Sequence, residues 1–218
     1  MDYRAVVFDF DYTLVDSSEG ILDCISYALD QLGLPAVSAE RACRTIGLSL
    51  PEIFVELAGT EQAARSDEFG RLFVDRADRV MNEMTRLYPE ARAAIEELLE
   101  CGLRLGIVST KYRYRIERFL ESEGLRTAFA VVVGREDVPV PKPDPYGLVD
   151  AIARLGVVRQ QALYVGDSVV DAETASRAGV DFVAVLSGAT EAGEFGPYAP
   201  VAVLPSLAEL PELLGCPG

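Results

Sequence analysis

Ala5-Val6-Val7-Phe8-Asp9-Phe10-Asp11-Tyr12-Thr13 is an apolar run that stops abruptly on two alternating acids. Ala5 to Phe8 predicts a buried strand, and a strand with no polar face needs cover on both sides, which is the habit of parallel sheets. If the extended geometry continues to Asp11, Asp9 and Asp11 point to the same side with Cα atoms roughly 6.6 Å apart. Like charges so placed are costly unless a cation neutralises them or one keeps a proton. Taken alone, an acid-x-acid pair also reads as a solvated acidic loop.

Outward from this stretch, Leu103 to Val108, Ala130 to Val133, Leu163 to Val165 and Phe182 to Val185 repeat the strand pattern, with helical patterns between most of them. Pro89 opens one helix, with Ile95, Leu98 and Leu99 as its apolar face and Gly102 as its stop. Between Ser17 and Thr85 strand patterns are missing. Ile21, Leu22, Ile25, Ala28, Leu29 and Leu32 recur at helical spacing up to Gly33, Ser38 is a candidate cap for a second helix, and Ser49-Leu50-Pro51 opens a third. Phe69, Leu72, Phe73, Ala77, Val80 and Met84 mark a fourth. The block is too long for a simple crossover. The expected fold is therefore α/β: a Rossmann-like parallel-sheet core of residues 1–16 and 86–218 with an inserted all-helical cap, residues 17–85.

Three further sites follow apolar strands. Gly166-Asp167-Ser168-Val169-Val170-Asp171 places two acids at a strand end and a helix start, where they could meet one hard cation such as magnesium; equally, Ser168 or Asp167 could be a helix cap alone. Ser109-Thr110-Lys111 offers hydroxyls and amides suited to phosphate oxygens, although Ser and Thr there also serve as plain caps. Lys142-Pro143-Asp144-Pro145 is harder to dismiss. The chain has 18 arginines and only 2 lysines, Lys111 and Lys142, and both fall beside strand ends. A compact ammonium suits a point-charge role next to a carboxylate and a phosphoryl group. Ligands of open α/β sheets bind at the carboxyl ends of the strands, where all four sites are expected to converge.

Composition narrows the chemistry. Histidine is absent, which excludes a Ser-His-Asp triad, a Cys-His pair and His-ligated zinc or haem. A net charge of −15 opposes binding to nucleic acid. The longest apolar runs are strand-length, so no membrane span is expected, and Met1-Asp2-Tyr3-Arg4 lacks the basic lead of a secretion signal. Cys24, Cys43, Cys101 and Cys216 are widely separated and form no C-x-x-C pair, so reduced thiols in a cytoplasm are expected.

The ordered set Asp9-x-Asp11-x-Thr13, Ser109, Lys142 and Gly166-Asp167-x-x-x-Asp171 resembles the four motifs of the haloacid dehalogenase-like hydrolase superfamily over nearly the whole chain. The helical insert is similar to the family's first-type cap, and Lys142 to Pro145 and Ala172 to Gly179 resemble its phosphoglycolate-phosphatase-like branch. The resemblance implies a magnesium-dependent phosphatase acting on a small phosphorylated metabolite: phosphoglycolate-like, pyrophosphate, nucleotide or sugar phosphate. It implies Asp9 as nucleophile and magnesium ligand, and Asp11 as general acid/base whose backbone carbonyl also meets the metal. Ser109, with Thr110 beside it, would hold the phosphoryl oxygens, Lys142 would balance Asp9, Asp167 would ligate magnesium, and Asp171 would support the ion directly or through water. Tyr12 stands where most members of the branch carry glycine; an amide near it is expected to cradle phosphate, so its ring would narrow the pocket or contact the cap. The cap, with a substrate-facing loop near Gly47 to Leu50, is expected to close over the substrate.

A dehalogenase of the superfamily would need the nucleophile without the other acids. The alternatives carried forward are a sugar phosphomutase of the same superfamily and a non-catalytic phospho-acceptor or binding protein. Oligomeric state has no signal in the sequence.

Overall fold

The computed structural model describes residues 2–216. From the N-terminus the chain forms β1 (Ala5–Phe8) and β2 (Val15–Asp16), then α1 (Ser18–Gln31), α2 (Ala39–Cys43), α3 (Leu50–Ala58) and α4 (Ser66–Val80), then β3 (Arg86–Leu87). There follow α5 (Pro89–Glu100), β4 (Arg104–Val108), α6 (Arg113–Ser122), β5 (Phe129–Val133), α7 (Tyr146–Arg154), β6 (Ala162–Gly166), α8 (Val169–Ala178), β7 (Asp181–Val185), β8 (Ala202–Leu204) and α9 (Leu210–Leu213). Two compact units result: one is the chain up to Val15 together with the chain from Leu87 onward, the other is Asp16–Arg86.

In the first unit a six-stranded, all-parallel sheet runs in the order β5-β4-β1-β6-β7-β8. β1 is central because both of its edges are paired: Phe8 lies opposite Ile107 of β4 on one side and Val165 of β6 on the other. From β1 the chain builds outward through β4 and β5, then returns to start again at β6. The strand order therefore switches at β1, and the carboxyl ends of β1, β4 and β6 border the place where ligands of open α/β sheets bind.

The alternation of side chains along β1 explains its unbroken apolar sequence. Val6 and Phe8 enter one apolar layer with Ile95, Leu98, Leu105 and Ile107, while Ala5 and Val7 enter the other with Leu148, Ile152, Ala172 and Ala175. On α5, Ile95 and Leu98 are buried as expected, but Leu99 is exposed. It sits about 100° round the helix from Leu98, outside the stripe that faces the sheet. β8 is absent from the strand patterns above because it is a three-residue edge strand followed closely by Pro205.

The second unit is helical apart from the strand residues at its two ends. Ser38 caps α2, accepting from the Arg41 amide, and Ser49 with Glu52 forms a capping box on α3. Phe54 stacks on Phe69 at 4.9 Å, and Arg76 of α4 grips Asp23 of α1 with both carboxylate oxygens engaged. α4 ends at Val80, so Met84 falls in the following turn and it is Met81 that is buried.

The expectation that all four cysteines stand reduced is overturned. Cys101 and Cys216 are joined in a disulfide, with Cα atoms 5.8 Å apart, while Cys24 and Cys43 take no part in one. The two bridged residues lie 115 positions apart, and they meet because α9 and the segment after it pack back on α5, a contact that cysteine spacing cannot reveal.

Candidate active site

β1 delivers Asp9 to the switch point in a fixed pose. Its amide donates to the Val165 carbonyl at 2.9 Å, extending the ladder with β6 by one residue beyond the strand. The chain then turns rather than running on: the Leu14 and Val15 amides both donate to the Phe10 carbonyl, and the Tyr12 amide donates to that of Val15. Asp11 is consequently on the turn, not on an extended strand. Its carboxylate accepts from the Lys111 ammonium at 2.7 Å, and both side chains are nearly buried.

β6 and α8 supply Asp167 and Asp171. Ser168 is the N-cap of α8, and its hydroxyl accepts from the Asp171 amide while donating to Asp171 Oδ2 at 2.5 Å. The capping reading of Ser168 therefore holds together with the site reading, because the capping carboxylate is itself part of the cluster. Asp171 Oδ1 accepts from Lys142 Nζ at 2.6 Å and lies 2.9 Å from the Tyr164 hydroxyl. Thr13 donates to Asp167 Oδ1 at 3.1 Å. Asp9, Asp167 and Asp171 each present a carboxylate oxygen within 4.8 Å of the others, and all three are buried.

Lys142 is the counter-charge at the centre. Its Nζ lies 2.9 Å from Asp9 Oδ1, an ion pair without hydrogen-bond alignment, since Asp9 Oδ1 is a buried oxygen that accepts no hydrogen bond. Burial works against the ammonium, but Asp171 and then Asp9 outweigh it and hold Lys142 well above the usual lysine range. One ammonium does not balance three carboxylates. Burial, with the charges of Asp171 and Asp11, pushes Asp9 up to about 7 against the pull of Lys142. Burial, then Asp171 and Asp9, also holds Asp167 well above the carboxylate range. A surplus of buried negative charge, a buried Asp9 oxygen that accepts no hydrogen bond and an all-oxygen donor set fit a hard divalent cation such as magnesium.

Ser109 is buried at the end of β4, and it lines one crevice with Lys142, Val108, Arg135 and Asp144. Thr110 and Tyr12 are half-buried on the turns directly after Ser109 and Asp11. Tyr12 has φ +62°, in the left-handed region where glycine costs least. Asp11's side chain is not among the three that converge, so any part it has in holding a cation falls to its backbone.

For several participants the sequence shows a position but not a partner. Lys111, already marked out beside a strand end, reads with Arg113 and Arg115 as a cationic cluster, either an exposed helix face or an aid to anion entry. Instead Lys111 folds back onto Asp11, and Arg115 is buried with its guanidinium over the rings of Tyr112 and Tyr114. Tyr164 reads as an apolar strand residue, yet its hydroxyl accepts from Lys142 at 3.2 Å while facing Asp171 and the Val108 carbonyl. Burial and the charge of Asp171 hold this phenol well above its usual range, so it stays a donor. Tyr164→Phe should therefore cost about 1–3 kcal/mol, because it strips a donor from a buried carboxylate. Urea unfolding of the metal-free protein checks this, and unchanged stability would mean that the hydroxyl is dispensable.

The sequence profile described as haloacid dehalogenase-like hydrolase matches residues 6–185. The phosphoglycolate phosphatase of Yersinia pseudotuberculosis is 32% identical over 98% of this chain and 94% of its own length, and that of Escherichia coli 31% identical over 99% and 94%. Among solved structures, a Bacteroides fragilis protein assigned to the haloacid dehalogenase-like hydrolases is similar at 42% identity and TM-score 0.93, covering 95% of this chain and 99% of the other.

Proposed function

The chain belongs to the haloacid dehalogenase-like hydrolases, and on that premise we propose that it is a magnesium-dependent phosphatase of small phosphorylated metabolites that works through a phospho-Asp9 intermediate. The observation that carries the reading is the buried set of Asp9, Asp167 and Asp171 around Lys142 at the switch point of the sheet.

An Asp9 oxygen attacks phosphorus, the bond from phosphorus to the ester oxygen breaks, and Asp11 gives the leaving oxygen its proton. Water then attacks the phosphorus of the acyl phosphate, giving its proton to Asp11 and releasing inorganic phosphate and free Asp9. Ser109 and Thr110 orient the phosphoryl oxygens, and Lys142 offsets part of the cost of charging Asp9. Asp9, Asp167 and the Asp11 carbonyl would hold magnesium, which supplies positive charge beside the transferring phosphoryl group. Asp171 is already committed to Lys142, Tyr164 and Ser168, so it supports the ion by anchoring these neighbours.

Phosphoglycolate heads the candidate substrates, from the names of the relatives, with pyrophosphate, nucleotides and sugar phosphates beside it. A panel of these compounds should give turnover with Mg2+, loss of turnover on exhaustive chelation, and recovery on adding Mg2+ back. Full activity after chelation, or activity confined to folded phosphoproteins, would contradict the proposal. Among the described residues no helix is long and apolar enough to cross a membrane. The reading includes a cytoplasmic location.

A further inference from the structure

The loop after β7 touches this site at two points that the reaction above does not use. Ser187 Oγ donates to the carbonyl of Tyr12, the non-glycine residue held at φ +62°. Its neighbour Gly188 lies against Asp167 so closely that a Cβ built there would meet Asp167 Oδ2 at 1.9 Å and Cγ at 2.7 Å. The opposite oxygen of the same carboxylate accepts from Thr13, the residue next to Tyr12. Two adjacent pairs, Tyr12-Thr13 and Ser187-Gly188, thus close around Asp167 and are tied to each other by the bond from Ser187 to Tyr12. The loop is itself anchored, because the Leu186 amide donates to the Leu204 carbonyl of β8 at 2.9 Å.

We infer that Ser187 and Gly188 are positioning residues: Gly188 leaves the space that fixes the Asp167 carboxylate, and Ser187 pins the Tyr12 turn in its left-handed conformation. Asp167 cannot rotate away from a side chain at position 188 without giving up Thr13. A tyrosine in the left-handed region costs of order 1–3 kcal/mol and persists only where its surroundings hold it. The Ser187 hydroxyl is one such hold, and it acts on the residue between Asp11 and Thr13.

The inference rests on the phosphatase reading for its activity arm alone. Gly188→Ala should bind Mg2+ about 10–100-fold more weakly by isothermal titration calorimetry, the usual cost of disturbing a residue that orients a metal ligand, in a protein that remains folded. Gly193→Ala, on the same connection but with open space around its Cβ position, should bind Mg2+ as the parent does. A folded Gly188→Ala protein with parental Mg2+ affinity overturns the role of Gly188. Should that variant fail to fold, Ser187 decides. Ser187→Ala should lower kcat for a small phosphate monoester by about 2–10-fold with little change in KM. The same change in a Tyr12→Gly background should cost less than about twofold, because glycine holds the turn unaided. Equal losses in both backgrounds, or no loss in either, overturn the proposal. If the parent hydrolyses no phosphate monoester, the phosphatase reading fails while the Mg2+ arm still tests the positioning of Asp167.

Discussion

Asp9→Asn should remove both turnover and phosphoenzyme and leave a folded protein. The amide is a poor nucleophile and a poorer ligand for a hard cation, so neither the first covalent step nor its electrostatic support survives. The fold is kept because Lys142 retains Asp171 at 2.6 Å when the Asp9 charge is lost. Stability without metal should move in the opposite direction to activity. Burial raises the Asp9 carboxyl from 3.8 to about 7, so between these values the folded state holds a proton that the unfolded state releases. By linkage the contribution of Asp9 to stability falls as pH rises through that window, and it is least favourable above it. Asp9→Asn has no such group, so in chelator its Tm should equal or exceed the parent's at pH 8. Thermal unfolding beside a turnover assay checks both halves; a collapsed Tm with lost activity would make Asp9 a structural residue.

Asp11→Asn should separate the two halves of the reaction. A positioned acid/base contributes about 10²–10⁴-fold, and that loss should fall on whichever step needs the proton. With p-nitrophenyl phosphate the leaving group needs little protonation, so transfer to Asp9 proceeds and hydrolysis of the acyl phosphate becomes slow. Rapid mixing should then show a burst of p-nitrophenol approaching one equivalent per enzyme, followed by slow turnover. The asparagine oxygen remains available to accept from Lys111, which sits 2.7 Å from the native carboxylate, so the turn should persist. Absence of a burst, with Mg2+ binding and fold intact, would assign Asp11 to the first step as well.

The sheet and the principal acids are legible in the sequence for one shared reason. A parallel strand buried on both faces is an unbroken apolar run, and acids at its carboxyl end interrupt that run visibly, as Asp9 does after Phe8 and Asp167 does after Gly166. Lys142 is legible because lysine is scarce in this chain. What stays hidden depends on contacts across the sheet or at the limits of an element. The hydroxyl of Tyr164 counts toward Lys142 and Asp171 only once α8 packs beside β6, and Lys111 leaves its expected helix face only because Asp11 turns toward it. The same-side placement of Asp9 and Asp11 holds only if the strand stays extended, and the turn bonded through the Phe10 carbonyl takes Asp11 elsewhere. Ser187 and Gly188 lie 20 or so positions beyond Asp167, in a segment whose composition marks only a turn. The pairing of Cys101 with Cys216 likewise exists only after the C-terminal segment docks on α5.

The claim on which the rest depends is that the phosphoryl group passes through Asp9. Acid quench of the Asp11→Asn protein during its burst with p-nitrophenyl phosphate and Mg2+, followed by peptide mass spectrometry, tests it directly. The account predicts one phosphoryl group on the peptide containing Asp9, located on that residue and released as inorganic phosphate when the reaction is left to run. A burst with the phosphoryl group on any other residue, or p-nitrophenol released in step with inorganic phosphate and no labelled peptide, would contradict it.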